Sequence, residues 1–281
     1  MKNNGISKKR IWILRSFNTK HIYLIGDIHG DFRPIRNFSQ RHIKLHKDVA
    51  AGDENILICL GDFGANFFFN YRDEKLKEKL GKYNFTYFVI RGNHEQRPSF
   101  CEAENPELWH REIYFDNVVY VENEYPYIKY AYDKPAVYNI NGYQTLVLPG
   151  AYSVDKYVRL QNGWSWFEQE LPTEEEMNDG IKICEEKNNK FDLILSHTCP
   201  IMFEPTDLFL SCVDQSMVDK TMERYLGQIE YTVDYKAWLW GHYHAFRDYP
   251  RTDGRKRIML SAGEEVVELE QIMNNDTIER I

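Results

Sequence analysis

Cysteine is scarce in this chain and follows no pattern. Five occur among 281 residues, Cys59, Cys101, Cys184, Cys199 and Cys212, an odd number without a CxxC pair. That argues against a disulfide framework and against a thiolate zinc site, and the thiols read as reduced ones in a cytoplasmic protein. Long hydrophobic runs are missing as well. Residues 1–10 are polar and basic, and no apolar stretch long enough for a signal peptide or a membrane span follows them. Positive charge is in deficit. The 43 acidic and 35 basic side chains leave a formal charge of −8, which disfavours non-specific binding along an extended nucleic acid. A metal site would still supply positive charge locally. There is no internal repeat, low-complexity tract or linker, so one domain over 1–281 is expected.

What the chain does have is a set of short apolar runs that each end in glycine and a metal-type residue. Ile22-Tyr23-Leu24-Ile25 leads to Gly26-Asp27-Ile28-His29-Gly30. Ile56-Leu57-Ile58-Cys59-Leu60 leads to Gly61-Asp62. Tyr87-Phe88-Val89-Ile90 leads to Arg91-Gly92-Asn93-His94-Glu95. Runs of this kind are strands buried on both faces. Amphipathic segments over 34–46 and 73–80 separate them, which predicts an α/β layered sheet with ligands beyond the strand ends. Residues 97–135 are rich in Tyr and acidic residues and read as an irregular excursion with short strands, or a lid. Asn141-Gly142 suits a tight turn between strands over 136–140 and 143–148. Thr173, with Glu176 three residues on, caps a helix over 173–187. A strand over 193–195 leads to Ser196-His197, and one over 238–240 leads to Gly241-His242-Tyr243-His244. A helix is expected over 213–226, and strands over 258–260 and 266–269.

Five of the nine histidines therefore follow strands: His29, His94, His197, His242 and His244. Asp27, Asp62 and Asn93 accompany them. Mixed oxygen and imidazole donors suit manganese, iron, zinc or nickel. In Asp27-Ile28-His29 and His242-Tyr243-His244 the outer residues point the same way if the chain stays extended. Asp62 is placed to share its two oxygens between two cations, and a pair of cations clamps a phosphoryl group.

The motifs GDIHG, GD, GNHE, SH and GHYH, in this order over residues 26 to 244, resemble the calcineurin-like metallophosphoesterase superfamily. GAYSVDKYVR, SHTCP and VDQSMVDK are similar to its bacterial and phage members. The resemblance implies a four-layer α/β/β/α sandwich with two mixed β-sheets. It implies two metal ions, manganese first and iron, zinc or nickel after it. Asp27, His29 and His244 would hold one; Asn93, His197 and His242 the other; Asp62 would bridge them. A bridging hydroxide would attack the phosphorus of a mono- or diester, and His94 would protonate the leaving group as general acid. The expected substrate is a phosphorylated small molecule or nucleotide, with no membrane partner.

The departures carry information too. Phosphoprotein phosphatases continue the second motif as GDxVDRG, whereas this chain reads Gly61-Asp62-Phe63-Gly64-Ala65-Asn66. Their later HGG is replaced by Ser196-His197-Thr198. Phosphoprotein phosphatase activity is thus a second choice, beside a nuclease or cyclic-nucleotide phosphodiesterase. A catalytically silent protein-binding scaffold would have lost ligand positions, and none is lost here. Arg97, Lys156 and Arg159 are candidates for the missing phosphate-gripping Arg. Cys199 is read as an inert buried thiol, the tyrosines of 114–132 as ordinary packing, and Arg255-Lys256-Arg257 as a solvated hairpin end.

Overall fold

The computed structural model describes residues 20–43, 54–261, 266–274, 278 and 280. The basic 1–10 segment and the far end of the helix expected over 34–46 lie outside the described residues. Residues 20–131 form β1 (Lys20–Ile25), α1 (Arg33–Phe38), β2 (Glu54–Cys59), α2 (Tyr71–Leu80), β3 (Thr86–Val89), α3 (Pro98–Glu104), β4 (Trp109–Tyr114), β5 (Asn117–Glu122) and β6 (Ile128–Ala131). There follow β7 (Ala136–Ile140), β8 (Tyr143–Leu148), α4 (Lys156–Asn162), α5 (Glu174–Glu186), β9 (Leu193–Ser196), α6 (Thr221–Thr232), β10 (Ala237–Trp240), β11 (Arg247–Asp248), β12 (Lys256–Met259), β13 (Val267–Glu268) and α7 (Leu269–Asn274).

Two mixed sheets result, ordered β13-β1-β2-β3-β6-β5-β4 and β11-β12-β10-β9-β8-β7. Each has a parallel centre, β1-β2-β3-β6 and β12-β10-β9-β8, with antiparallel strands at its edges. Strand alternation divides the side chains into layers. Ile22, Leu24, Ile56 and Ile58 of the first sheet meet Leu193, Leu195 and Leu239 of the second in one core. Their neighbours point outward. Tyr23, Ile25, Leu57 and Cys59 pack with Ile35, Leu76 and Leu80 of α1 and α2. Ile194, Trp238 and Trp240 pack with Met222, Leu226 and Ile229 of α6. This is the four-layer α/β/β/α sandwich the resemblance implied.

Three expectations change. Residues 97–135 are built into the first sheet: α3 covers its outer face and β4, β5 and β6 extend it. Short strands are present as expected, but their place in the sheet was hidden because β4 is an edge strand, where one apolar face and scattered charges suffice. The helix expected over 213–226 starts only at Thr221. Before it, Asp214 caps a short 3₁₀ turn, Gln215–Met217, accepting from the Ser216 amide at 3.0 Å. The expected strand over 266–269 is only Val267–Glu268, and α7 follows at once. The hairpin and the helix cap are as expected. Asn141 and Gly142 have φ of 54° and 88°, and Thr173 and Glu176 form a reciprocal capping box.

Candidate metal centre

The parallel centres of both sheets end at the same place. Asp27 lies two residues past β1, Asp62 three past β2, Asn93 four past β3, His197 directly after β9 and His242 two past β10. The chain does not stay extended there. His29, Asp62, His242 and His244 have φ of 46°, 48°, 70° and 54°. Each left-handed residue costs about 1–2 kcal/mol, so the surrounding contacts must hold these turns. The His29 amide donates to the Asp62 carbonyl at 2.8 Å and the Gly30 amide to the Phe63 carbonyl at 3.0 Å, locking the first two loops together. Gly92 lies so close to Asp62 that an added Cβ would sit 2.0 Å from Oδ1.

Both aspartates commit one oxygen to the backbone and turn the other inward. Asp27 Oδ1 accepts from the His242 amide at 3.0 Å, and Asp62 Oδ1 from the His94 amide at 2.8 Å. Asp27 Oδ2 is buried without a hydrogen-bond partner, 3.3 Å from His244 Nε2. Asp62 Oδ2 lies 3.5 Å from His197 Nε2, 3.8 Å from His29 Nε2 and 3.9 Å from His94 Nε2. His29 and His244 bring their Nε2 atoms within 3.0 Å of each other. Donor atoms of Asp27, His29 and His244 lie within 4.8 Å of one another, as do those of His29, Asp62 and His94.

On the other side, both ring nitrogens of His197 face acceptors: Nδ1 donates to the Leu60 carbonyl at 2.7 Å and Nε2 stands 2.9 Å from Asn93 Oδ1, so a cation there would take the place of the Nε2 proton. The His242 ring stands 5.0 Å from the His197 ring. Asn93 is itself held: its Nδ2 donates to Ser153 Oγ at 3.0 Å, and Ser153 Oγ donates to Glu170 Oε2 at 2.5 Å. Nothing in the spacing of the motifs pointed to Ser153 or Glu170, although Ser153 lies in the GAYSVDKYVR stretch. Glu95, the last residue of GNHE, has a structural part that the motif does not announce. It accepts from the Gly64 and Gly92 amides at 2.8 and 3.4 Å, tying the second loop to the third.

The electrostatics are those of a donor cluster. Burial pushes the Asp27 carboxyl up to about 7 despite His197. Burial also pushes Asp62 up, but His197, His94 and His29 outweigh it and hold that carboxyl well below its usual range. His29 is pulled down to about 4, by burial first and by its histidine neighbours. His242 and His244 are lowered for the same reason. His197 goes the other way, to about 9, because Asp62 and Asp27 overcome its burial. An unpartnered buried Asp27 oxygen beside His29 and His244, both held neutral, fits divalent cations, which take deprotonated donors. The nitrogen and oxygen set suits manganese, iron, zinc or nickel.

His94 has separate surroundings. Arg159 Nη2 lies 2.8 Å from its Nδ1 and also against its Nε2, and the Phe67 ring stacks on it at 5.8 Å. Burial, then Arg159, lowers its pKa, while Asp62 pulls the other way. Arg159 itself is only 2% exposed, and its Nε bonds Asp155 at 2.8 Å. Of the three proposed phosphate-gripping cations, it alone reaches this site. Arg97 is buried in a bidentate pair with Glu176 at 2.8 and 3.0 Å and bonds the Gln169 and Leu171 carbonyls, so the capping box of α5 consumes its guanidinium. Lys156 stands over the Trp166 ring at 4.2 Å.

The Arg255-Lys256-Arg257 run is not a solvated end, since Arg257 is buried against Glu230 and Asp253 at 2.7 Å. Cys199 is fully buried and its thiol is pushed up by burial, as an inert core thiol. Tyr120, Tyr125 and Tyr130 are core residues. A cleft of about 380 Å³ opens from His29, Asp62, Asn93, His94, His242 and His244.

The sequence profile of the calcineurin-like phosphoesterase family matches residues 20–246. No curated protein matches the chain. Among solved structures, TT1561 of Thermus thermophilus aligns over 93% of this chain and 97% of its own, at 14% identity and a TM-score of 0.47. A dimetal phosphatase from Danio rerio aligns over 90% of this chain and 93% of its own, at 10% identity and a TM-score of 0.46. A 5′-nucleotidase from Candida albicans SC5314 aligns over 89% of this chain and 47% of its own, at 16% identity and a TM-score of 0.41.

Proposed function

The chain belongs to the calcineurin-like phosphoesterase family, and from that premise we propose that it hydrolyses the phosphate ester of a small molecule or nucleotide at a dinuclear centre built by seven side chains. The observation that carries the reading is the convergence of the His29, His94 and His197 Nε2 atoms on Asp62 Oδ2. Asp27, His29 and His244 would hold one cation and Asn93, His197 and His242 the other. Asp62 would serve both, and we take 1–281 as one domain serving that centre. The cations supply charge neutralisation of the phosphate and acidification of bound water.

The chain's own residues do the rest. Asp27 and Asp62, each pinned through Oδ1, keep their other oxygens fixed. The Leu60 carbonyl fixes the His197 tautomer, and Ser153 with Glu170 fixes Asn93. His94, whose side chain is not needed as a ligand, passes a proton from Nε2 to the departing oxygen. A bound phosphate dianion adds negative charge beside His94 and moves its pKa back up. Manganese is the first metal we assign.

The test is metal analysis together with a hydrolysis panel of monoester, diester, nucleotide and phosphopeptide substrates, with manganese added. Asp62→Asn should lose both cations and at least about 100-fold in activity, because one carboxylate serves both sites. Two cations per chain and full activity in that variant would remove the bridge assignment.

A further inference from the structure

The cleft that holds Asp62 and His94 also has an apolar wall. Leu208, Phe209, Leu210, Val213 and Val218 line it, with the Tyr243 ring stacked on Phe209. Leu208 and Leu210 are 41% and 60% exposed, apolar surface left in water beside a highly polar centre. The wall is not a loose loop. Lys220 bonds Glu204 at 2.6 Å, Arg247 bonds Asp207 at 2.7 and 3.0 Å, and the Phe209 and Tyr243 rings stack at 6.4 Å. Among the described lining residues the one Lys or Arg is Lys220, already committed to Glu204, while Asp155 is committed to Arg159 and Asp219 adds negative charge. A second phosphate group or a carboxylate on the substrate would find no free cation there, and would be desolvated without compensation.

We propose that the substrate is a phosphate monoester whose alcohol part is uncharged and apolar, a medium-length alkyl group lying along this wall. This inference rests on the hydrolase reading of the site. In the reaction the ester P–O bond breaks, water supplies the oxygen that ends on phosphorus, and the proton from His94 goes to the leaving oxygen. An apolar alcohol and inorganic phosphate are released. The wall adds no chemistry; it contributes affinity in proportion to the apolar surface it removes from water. Each methylene fully transferred is worth about fourfold in kcat/KM, and less where it stays half in water.

The experiment uses the manganese-loaded chain with butyl phosphate, octyl phosphate, glycerol phosphate and a nucleoside 5′-monophosphate, and nitrophenyl phosphate as a control. We expect kcat/KM to rise by about tenfold or more from butyl to octyl phosphate, and octyl phosphate to exceed both glycerol phosphate and the nucleotide. Leu210→Asn should lower the octyl-to-butyl ratio by about threefold or more. An unchanging rate with chain length, a ratio untouched by Leu210→Asn, or a preference for the nucleotide or glycerol phosphate would overturn the inference while leaving the hydrolase reading intact. Failure to hydrolyse any of these monoesters, nitrophenyl phosphate included, with both cations bound would overturn this inference, and the hydrolase reading falls only if the diester and phosphopeptide of the wider panel also stay intact.

Discussion

His94 is the residue at which proton transfer can be separated from metal binding. It neighbours Asn93, but its ring turns toward Phe67 and Arg159 while Asn93 faces His197. His94→Ala should therefore retain both cations and lose about 10²–10⁴-fold in kcat, the usual worth of a general acid. The loss should depend on the leaving group. An alkoxide needs a proton as it departs, and a nitrophenolate does not. Measuring kcat for an alkyl and a nitrophenyl phosphate, with metal content checked in each protein, decides the matter; equal losses at full occupancy would make His94 a packing residue. At this scale the motif histidines and aspartates were legible because the chemistry demands those residue types at strand ends. The arginines were not. Arg97 and Arg159 both follow motif residues at a plausible distance, yet one is spent on Glu176 and the other stands against His94. Sequence spacing does not say which carboxylate a long side chain will reach.

At the scale of elements, the site depends on strand ends approaching one another more closely than a Cβ allows. Gly92 has an ordinary backbone conformation, but its Cβ would fall on the Asp62 carboxylate. Gly142 is the reverse: its φ is +88°, and nothing lies within 4 Å of the added carbon. Gly92→Ala should displace Asp62 and weaken metal binding by about 10–100-fold, the scale of lost support around a ligand. Gly142→Ala should cost about 1–2 kcal/mol of stability through its strained turn and leave metal affinity as it was. Manganese titration and denaturant unfolding of the two variants check this, and a metal affinity unchanged in Gly92→Ala would show that the loops have slack.

The same contrast explains what could be read of the elements. The buried parallel strands β1, β2 and β3 declare themselves by unbroken apolar runs. In β4 only Trp109 is buried, and the other five positions are partly or fully exposed, so its place in a sheet is decided by pairing with β5 and not by its own pattern. Val213 and Val218 mimic helical periodicity, but Asp214 bonds the Ser216 amide and closes a 3₁₀ turn instead.

At the scale of the whole molecule, buried acids set how the fold responds to pH. Asp27, Glu95 and Glu223 are each pushed up to about 7, by burial first. The first two stand in or beside the proposed metal site, where cations change the balance. Glu223 is instead bonded to Thr198 Oγ1 at 2.9 Å, and its Oε2 is buried with no partner. Its folded pKa lies above the unfolded value of 4.5, so the folded chain holds this proton more tightly. The stability it contributes is complete below 4.5 and is lost as pH rises through about 7. Glu223→Gln keeps the shape and cannot ionise, so it removes that loss. The free-energy difference between variant and wild type should shift in the variant's favour by about 2–4 kcal/mol between pH 4.5 and 8, with most of the change below pH 7. The absolute difference at any one pH has either sign, because an amide and a protonated carboxyl bond Thr198 differently. Only the slope reports the ionisation, and contributions from every other titrating group cancel between the two proteins. Urea unfolding of both, metal-loaded, at several pH values across that range provides it. A difference that stays flat would mean that Glu223, which lines the cleft, ionises as an exposed carboxyl does because water reaches it.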